Sequence, residues 1–269
     1  MAVGRTVAYD AGMSDVQGLL LDIDGTITIS WKPIPGAVEA MSKLRDSGLS
    51  LRFLTNTTAR TQAELVNALN KAGIGAANDE VVTAPVATAA FVRDKYPGRS
   101  CFLVAKPHIA TDLDGIDLVE EDAEVVIVGG ADDAFSYERL NRAFGMIWDG
   151  AALVAMHRNL FWRTDTGMSL DAGAYVHALE KAAMVSAQVA GKPSPAFFEQ
   201  AVEMLGVDAS SVVMVGDDIE SDVLAAQRNG ITGVLVKTGK YHAGEVEHAS
   251  GTPDFVIDSI AGLPEILGL

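Results

Sequence analysis

The chain has 269 residues, 49% hydrophobic and 21% charged, a balance that fits a folded globule and excludes general disorder. Acidic residues outnumber basic ones 36 to 20, for a net charge of −16, which argues against a general nucleic-acid binder, since such a protein needs a basic footprint. Cys101 is the single cysteine, so no internal disulfide and no cysteine zinc cluster can form, as suits a reducing, cytoplasmic setting.

Residues 1–15 carry Asp10 and Asp15 and no long apolar core, so no signal peptide is expected there. No run of about 20 apolar residues occurs, so no membrane span is expected. Residues 16–22 form an apolar run that ends in Asp22, Ile23, Asp24, Gly25 and Thr26. Such a run reads as a strand buried on both faces, the kind found in parallel sheets. Residues two apart on an extended chain point the same way, so Asp22 and Asp24 leave the sheet's end on one side. Two carboxylates so close repel each other unless a cation sits between them. Gly25 permits a sharp turn and close approach of the backbone to a ligand. A solvated Asp-Gly turn is the plain alternative.

Strand and helix patterns then alternate. A helix is expected from Pro35-Gly36 to about 47, a strand over 49–55, and a helix over 61–71 stopped by Gly73. This alternation predicts an α/β fold with a parallel sheet, whose ligands bind at the carboxyl ends of strands. Thr55 and Asn56 stand at such an end. Residues 84–96 read as a helix, 101–105 and 124–128 as strands, 136–148 as a helix, 151–156 as a strand and 172–183 as a helix. They are enough for a separate α/β unit, bounded near 84 and 186. Gly191-Lys192-Pro193-Ser194-Pro195 then precedes a helix that ends near Leu205. A strand over 211–215 leads into Gly216-Asp217-Asp218, and the helix after it carries Asp222. A strand over 231–236, an edge strand over 255–257 and a closing helix over 260–267 complete the chain.

Each polar strand end has a structural alternative. Thr55-Asn56 or Asp217-Asp218 can cap a helix, Lys192 can be a solvated lysine, and Asp222 can be a first-turn acid favoured by the helix dipole. All four clusters in this order, each beside an apolar run, make a common site the better reading.

Together DIDGT, FLTNTT, GKPSP and VMVGDDIESD resemble the four motifs of the haloacid dehalogenase-like hydrolase superfamily. The resemblance implies a Rossmann-like parallel-sheet core over 1–83 and 187–269, with an inserted α/β C2-type cap over 84–186. The C-terminal stretches GKPSPAFFEQA, VGDDIESDVLAAQ and VLVKTGKY look like the phospholysine phosphohistidine inorganic pyrophosphate phosphatase branch and, more distantly, the NagD-type phosphatases. Asp22 is then implied as the nucleophile that forms an aspartyl-phosphate, and Asp24 as the general acid and base. The implied metal is Mg²⁺, held by Asp22, the backbone carbonyl of Asp24, and Asp217. Thr55, the backbone of Asn56, Gly25 and Lys192 are implied to meet the phosphoryl group. Asp218 and Asp222 are implied to shape the metal's outer surroundings, or to hold Lys192, rather than to bind the metal directly.

In the cap, residues 156–163 follow a strand and mix cationic, aromatic and amide groups. His157, Arg158 and Arg163 are candidates for contact with the leaving group; a plain surface loop is the alternative. The Thr-Asn-Pro-Asp pattern of NagD-type relatives is absent at this place, so their nucleotide preference is not expected. The expected activity is hydrolysis of a small phosphomonoester, phosphoramidate or pyrophosphate. Neither nucleic acid nor membrane is expected as a partner, and a homodimer, where one forms, is expected through the cap. The competing readings are a phosphotransferase or phosphomutase using the same aspartyl-phosphate, and a non-catalytic binding protein on the same fold.

Overall fold

The structure, a computed structural model, describes residues 13, 15–130, 135–164 and 167–269, with the backbone alone at 162–164, 167, 168 and 245. The expectation for the N-terminus falls mostly on residues 1–12 and 14, which lie outside the described residues. The chain forms two compact units, one of residues 1–51, 72–74 and 205–269, the other of 52–71 and 75–204. The stretch expected as the cap, 84–186, lies inside the second unit.

In the first unit the apolar runs become strands Gly18–Asp22, Val212–Gly216, Thr232–Val236 and Phe255–Ile257. Each pairs with the next in parallel. Leu19, Leu20, Leu21, Met214, Val215, Val234 and Leu235 are fully buried. Continuous hydrophobicity, without alternation, encodes burial of both sheet faces. The register sets Leu21 beside Val215, so Asp22 falls level with Gly216 and next to Asp217. Helix Ala37–Asp46 buries Ala37, Ala40, Met41 and Leu44, an i, i+3, i+4, i+7 stripe.

Three local features depart from the sequence reading here. Strands Thr28–Ile29 and Lys32–Pro33 form an antiparallel hairpin. Its two loop residues, Ser30 and Trp31, have φ of 49° and 65°. Two positive φ values are the mark of the type I′ turn that matches strand twist. The helix expected to carry Asp222 begins as a π-helical turn, Ile219–Leu224, and only then becomes the α-helix Ala225–Arg228. The amide of Val223 reaches back to the carbonyl of Asp218 at 3.4 Å, the i→i+5 step that adds a residue to the turn. The closing helix is split into a 3₁₀ turn, Ile260–Gly262, and one α turn, Leu263–Ile266.

The second unit holds the parallel sheet Gln188–Val189, Ala152–Ala155, Val125–Val128, Cys101–Val104, in that order. Phe102, Val104, Val126, Val128, Leu153 and Ala155 pack one face against Ala143 and Ile147 of helix Tyr137–Trp148 and Val176 and Leu179 of helix Ala172–Ala183. Cys101, Leu103, Val125, Ile127, Val154 and Met156 pack the other against Ala89 and Val92 of helix Ala84–Lys95, with Ile109 and Leu113. The period of two divides each strand's residues between two cores. This unit also contains the end of strand Ser50–Thr55, paired in parallel with Val81–Thr83, and helix Gln62–Lys71.

The stretch read as a loop, 156–163, is corrected at its far end. Phe161–Thr164 is a strand, antiparallel to Gly167–Leu170, with Phe161 opposite Leu170 and Thr164 opposite Gly167. Phe, Trp and Thr favour such a pleated position. Among the described residues, no helix is long and apolar enough to cross a membrane.

Candidate active site

Three aspartates meet at the carboxyl end of the first unit's sheet. Asp22 closes its strand, Asp217 follows the neighbouring strand, and Asp222 rises from the π-helical turn. One carboxylate oxygen of each lies within 4.8 Å of the others, and all three residues are buried. Charges this close in a poorly polarisable medium resist joint ionisation. Burial in the first place, then the charges of Asp22 and Asp222, push the Asp217 carboxyl up to about 8, against the pull of the Lys240 amide and ammonium. Three hard oxygen donors in one buried corner fit a divalent cation such as Mg²⁺, which would supply the charge the cluster lacks.

Asp222 thus joins the cluster itself. Asp218 is turned to other work: its Oδ1 accepts the Ser221 amide at 2.9 Å, and its Oδ2 lies 3.3 Å from the Lys240 Nζ. Its own amide donates to Asp222 Oδ2 at 3.3 Å, which steadies that carboxylate. The Asp24 residue is exposed at the turn that follows its strand. Enough protein crowds it to hold its carboxyl above the usual range, with Lys240 pulling the other way.

Residues 238–240 are the part of this site that sequence reading missed. The Lys240 amide donates to Asp217 Oδ2 at 2.7 Å, and the Thr238 hydroxyl donates to the carbonyl of Gly25 at 2.5 Å. Burial alone would lower the Lys240 ammonium, but Asp218, Asp222, Asp217 and Asp22 together hold it above its ordinary value. The available signal was positional: Thr238-Gly239 follows a buried strand whose Leu235 pairs with Gly216, next to Asp217.

In the second unit Thr55, Asn56 and Lys192 come together. The Asn56 amide group makes a reciprocal pair with the Lys192 backbone: Oδ1 accepts the Lys192 N–H and Nδ2 donates to its carbonyl, each at 2.9 Å. Gly191 has to be glycine, because a Cβ there would lie 2.4 Å from the Met156 carbonyl oxygen and 2.7 Å from Asn56 Oδ1. Thr55 is buried, and its Oγ1 accepts the Thr57 amide at 3.1 Å, a turn closed locally.

The cap candidates are placed differently from one another. His157 is buried, with Nδ1 accepting the Asn159 amide at 3.3 Å, so that Nε2 carries the proton. Nε2 stands 3.5 Å from Thr58 Oγ1 and 3.7 Å from Asp171 Oδ1. Asp171 also accepts the Ala172 amide at the start of its helix. Arg158 is paired with Glu180. Arg163 belongs to strand Phe161–Thr164, and its side chain lies outside the described residues. Thr58 closes this buried network by accepting the Gly130 amide at 2.9 Å. Thr58→Val should therefore cost about 1–3 kcal/mol, because the Gly130 N–H loses its acceptor. A urea titration checks this, and an unchanged midpoint would rule it out.

A cavity of about 500 Å³ in the second unit is lined by Tyr96, Arg99, Glu124, Asp149 and Ala152 among others. It opens at the amino ends of the strands, whereas parallel sheets bind their ligands at the carboxyl ends.

A parallel sheet that gathers buried carboxylates at its strand ends, with an inserted α/β unit, defines a metal-assisted hydrolase of the phosphatase type. Comparison with known proteins agrees. A family model described as Haloacid dehalogenase-like hydrolase matches residues 19–119, and one described as HAD-hydrolase-like matches 189–263. The mouse phospholysine phosphohistidine inorganic pyrophosphate phosphatase is 33% identical over 97% of each chain. Bovine haloacid dehalogenase-like hydrolase domain-containing protein 2 is 35% identical over 91% of this chain and 93% of its own. Among solved structures, the p-nitrophenyl phosphatase of Archaeoglobus fulgidus superposes with a TM-score of 0.88 at 29% identity, covering 95% of this chain and 100% of that one. The chain belongs to the haloacid dehalogenase-like hydrolases, in the phosphatase subclass with a large α/β cap.

Proposed function

We propose that the protein is a Mg²⁺-dependent phosphatase for a small phosphorylated molecule, working through an aspartyl-phosphate on Asp22. The observation that carries this reading is the buried meeting of Asp22, Asp217 and Asp222 at adjoining strand ends. An Asp22 oxygen attacks phosphorus, and the bond to the leaving oxygen breaks. Asp24 gives that oxygen its proton. Asp24 then takes a proton from the water that attacks the phosphorylated Asp22, which releases phosphate and restores the carboxylate. Asp22, Asp217 and Asp222, with the Asp24 backbone carbonyl, would hold Mg²⁺, which would supply the positive charge that makes an anionic substrate tolerable beside three carboxylates. Thr55, the Asn56 backbone and Lys192 bind phosphoryl oxygens, and Asn56 serves this by fixing the Lys192 backbone.

The relatives' printed names point to P–O and P–N bonds as substrates, so phosphomonoesters, pyrophosphate and phosphoramidates form the class to test. Residues 84–186 act as the cap that chooses among them, with Arg163 as its candidate contact. The test is phosphate release from p-nitrophenyl phosphate, pyrophosphate, phospholysine and sugar phosphates. Release is expected with Mg²⁺ and none with EDTA. Silence across the panel with Mg²⁺ would refute a phosphatase, and phosphate appearing on an added alcohol in place of water would favour a transferase.

A further inference from the structure

The turn Thr238-Gly239-Lys240 touches the acidic cluster, yet nothing in the proposed chemistry uses it. Its contacts converge on one group. The Lys240 amide donates to Asp217 Oδ2 at 2.7 Å. The Thr238 hydroxyl donates to the Gly25 carbonyl at 2.5 Å, which draws this turn onto the turn that follows Asp24. Between the two turns stands the Asp217 carboxylate, and the fit leaves no room for a methyl group. A Cβ on Gly25 would sit 1.9 Å from Asp217 Oδ2, and one on Gly239 would sit 2.0 Å from the same atom. The Gly239 Cβ would also lie 2.5 Å from Gly25 Cα. Both glycines have positive φ, 94° and 59°, which side chains rarely adopt.

We propose that Thr238, Gly239 and Lys240 form a positioning clamp that seats the Asp217 carboxylate between two glycine turns and so presets the divalent-cation site. The proposal rests on the reading of the cluster as a metal site. It works because an aspartate has two oxygens and several rotamers. The Lys240 amide takes Oδ2 and both glycine turns pack against that same oxygen, so Asp217 loses little freedom on meeting a cation. Groups that hold a ligand in this way change metal affinity on the order of 10–100-fold when removed.

The experiment is calorimetric titration of the metal-free full chain with Mn²⁺, without substrate. Thr238→Val keeps the side chain's shape and removes the hydroxyl. It should weaken Mn²⁺ binding about 10-fold, and Thr238→Ser should restore it. Gly239→Ala should weaken binding further. At saturating metal, the KM for p-nitrophenyl phosphate in Thr238→Val should stay within about twofold of wild type, because a clamp on the cation does not touch substrate. Circular dichroism in EDTA shows that each variant folds; if Gly239→Ala does not, the Thr238 pair decides alone. Wild-type affinity in Thr238→Val, or no Mn²⁺ binding by the wild type, overturns the clamp. A chain that binds Mn²⁺ in this hydroxyl-dependent way but hydrolyses no phosphate compound would overturn the phosphatase reading and leave the clamp standing.

Discussion

Asp22→Asn should abolish phosphate release, by at least about 10⁴-fold in kcat, while leaving the protein as stable as the wild type or more so. The loss is chemical. An amide oxygen carries no negative charge to attack phosphorus, and no neighbour in the cluster can replace it: Asp217 is held between two turns and Asp222 is fixed by the Asp218 amide. The gain follows from the same geometry. Asp22 is one of the two charges that, after burial, push Asp217 upward. Removing it relieves repulsion in a buried corner, so in EDTA the variant is expected to unfold at no lower urea concentration than the wild type. Steady-state assays and urea unfolding, both on one preparation, test the two halves together. Asp24→Asn is the contrast: it keeps the nucleophile and loses proton transfer, so a smaller fall of about 10²–10⁴-fold is expected. Activity in Asp22→Asn within tenfold of wild type would remove Asp22 as nucleophile.

The meeting of Asp22 and Asp217 was legible because each follows an apolar run, and an apolar run in an alternating chain becomes a buried parallel strand. The fold was legible for the same reason: strands such as Cys101–Val104 and Val125–Val128 are buried on both faces and announce themselves as unbroken hydrophobic stretches. Asp222 reads from sequence only as an acid in the first turn of a helix, and its approach to Asp22 and Asp217 appears only in the folded chain. The π-helical turn Ile219–Leu224 holds an extra residue and turns the side chains beyond it to a new direction. Asn56 was visible as a polar strand end, but its pairing with the backbone of Lys192 spans 136 residues and leaves no local pattern. The hairpin at Thr28–Pro33 was hidden because Ser30-Trp31 supplies positive φ without the Asn-Gly signature. His157 looked like a polar loop residue. Its partners, Thr58 and Asp171, come from distant segments, and only the folded chain shows that the ring is buried.

The metal-free protein should lose stability as pH rises from about 4 to about 8, and a divalent cation should restore it most at the alkaline end. The sign follows from Asp217. In the unfolded chain its carboxyl titrates near the ordinary value of about 3.9; in the folded chain it titrates at about 8. Below the lower value both states are protonated and the group contributes nothing. Between the two, the folded state holds a proton that the unfolded state has released, so each step up in pH favours unfolding. Above about 8 the penalty is complete, on the order of a few kcal/mol. A cation bound to the ionised cluster must displace that proton, so its binding, and the stability it adds, grow across the same window. Thermal unfolding in EDTA at pH 5, 6.5 and 8, repeated with excess Mg²⁺, measures both trends. Asp217→Asn isolates the cause: asparagine cannot ionise, so its unfolding temperature in EDTA should fall much less between pH 5 and 8, and Mg²⁺ should help it little. A wild-type unfolding temperature that stays level or rises with pH in EDTA would rule out a raised Asp217. An Asp217→Asn variant that falls as steeply as the wild type would move the cause to the chain's general negative charge. A cluster built this way is unstable by itself at the pH where its carboxylates are needed ionised, and binding a cation turns that instability into affinity.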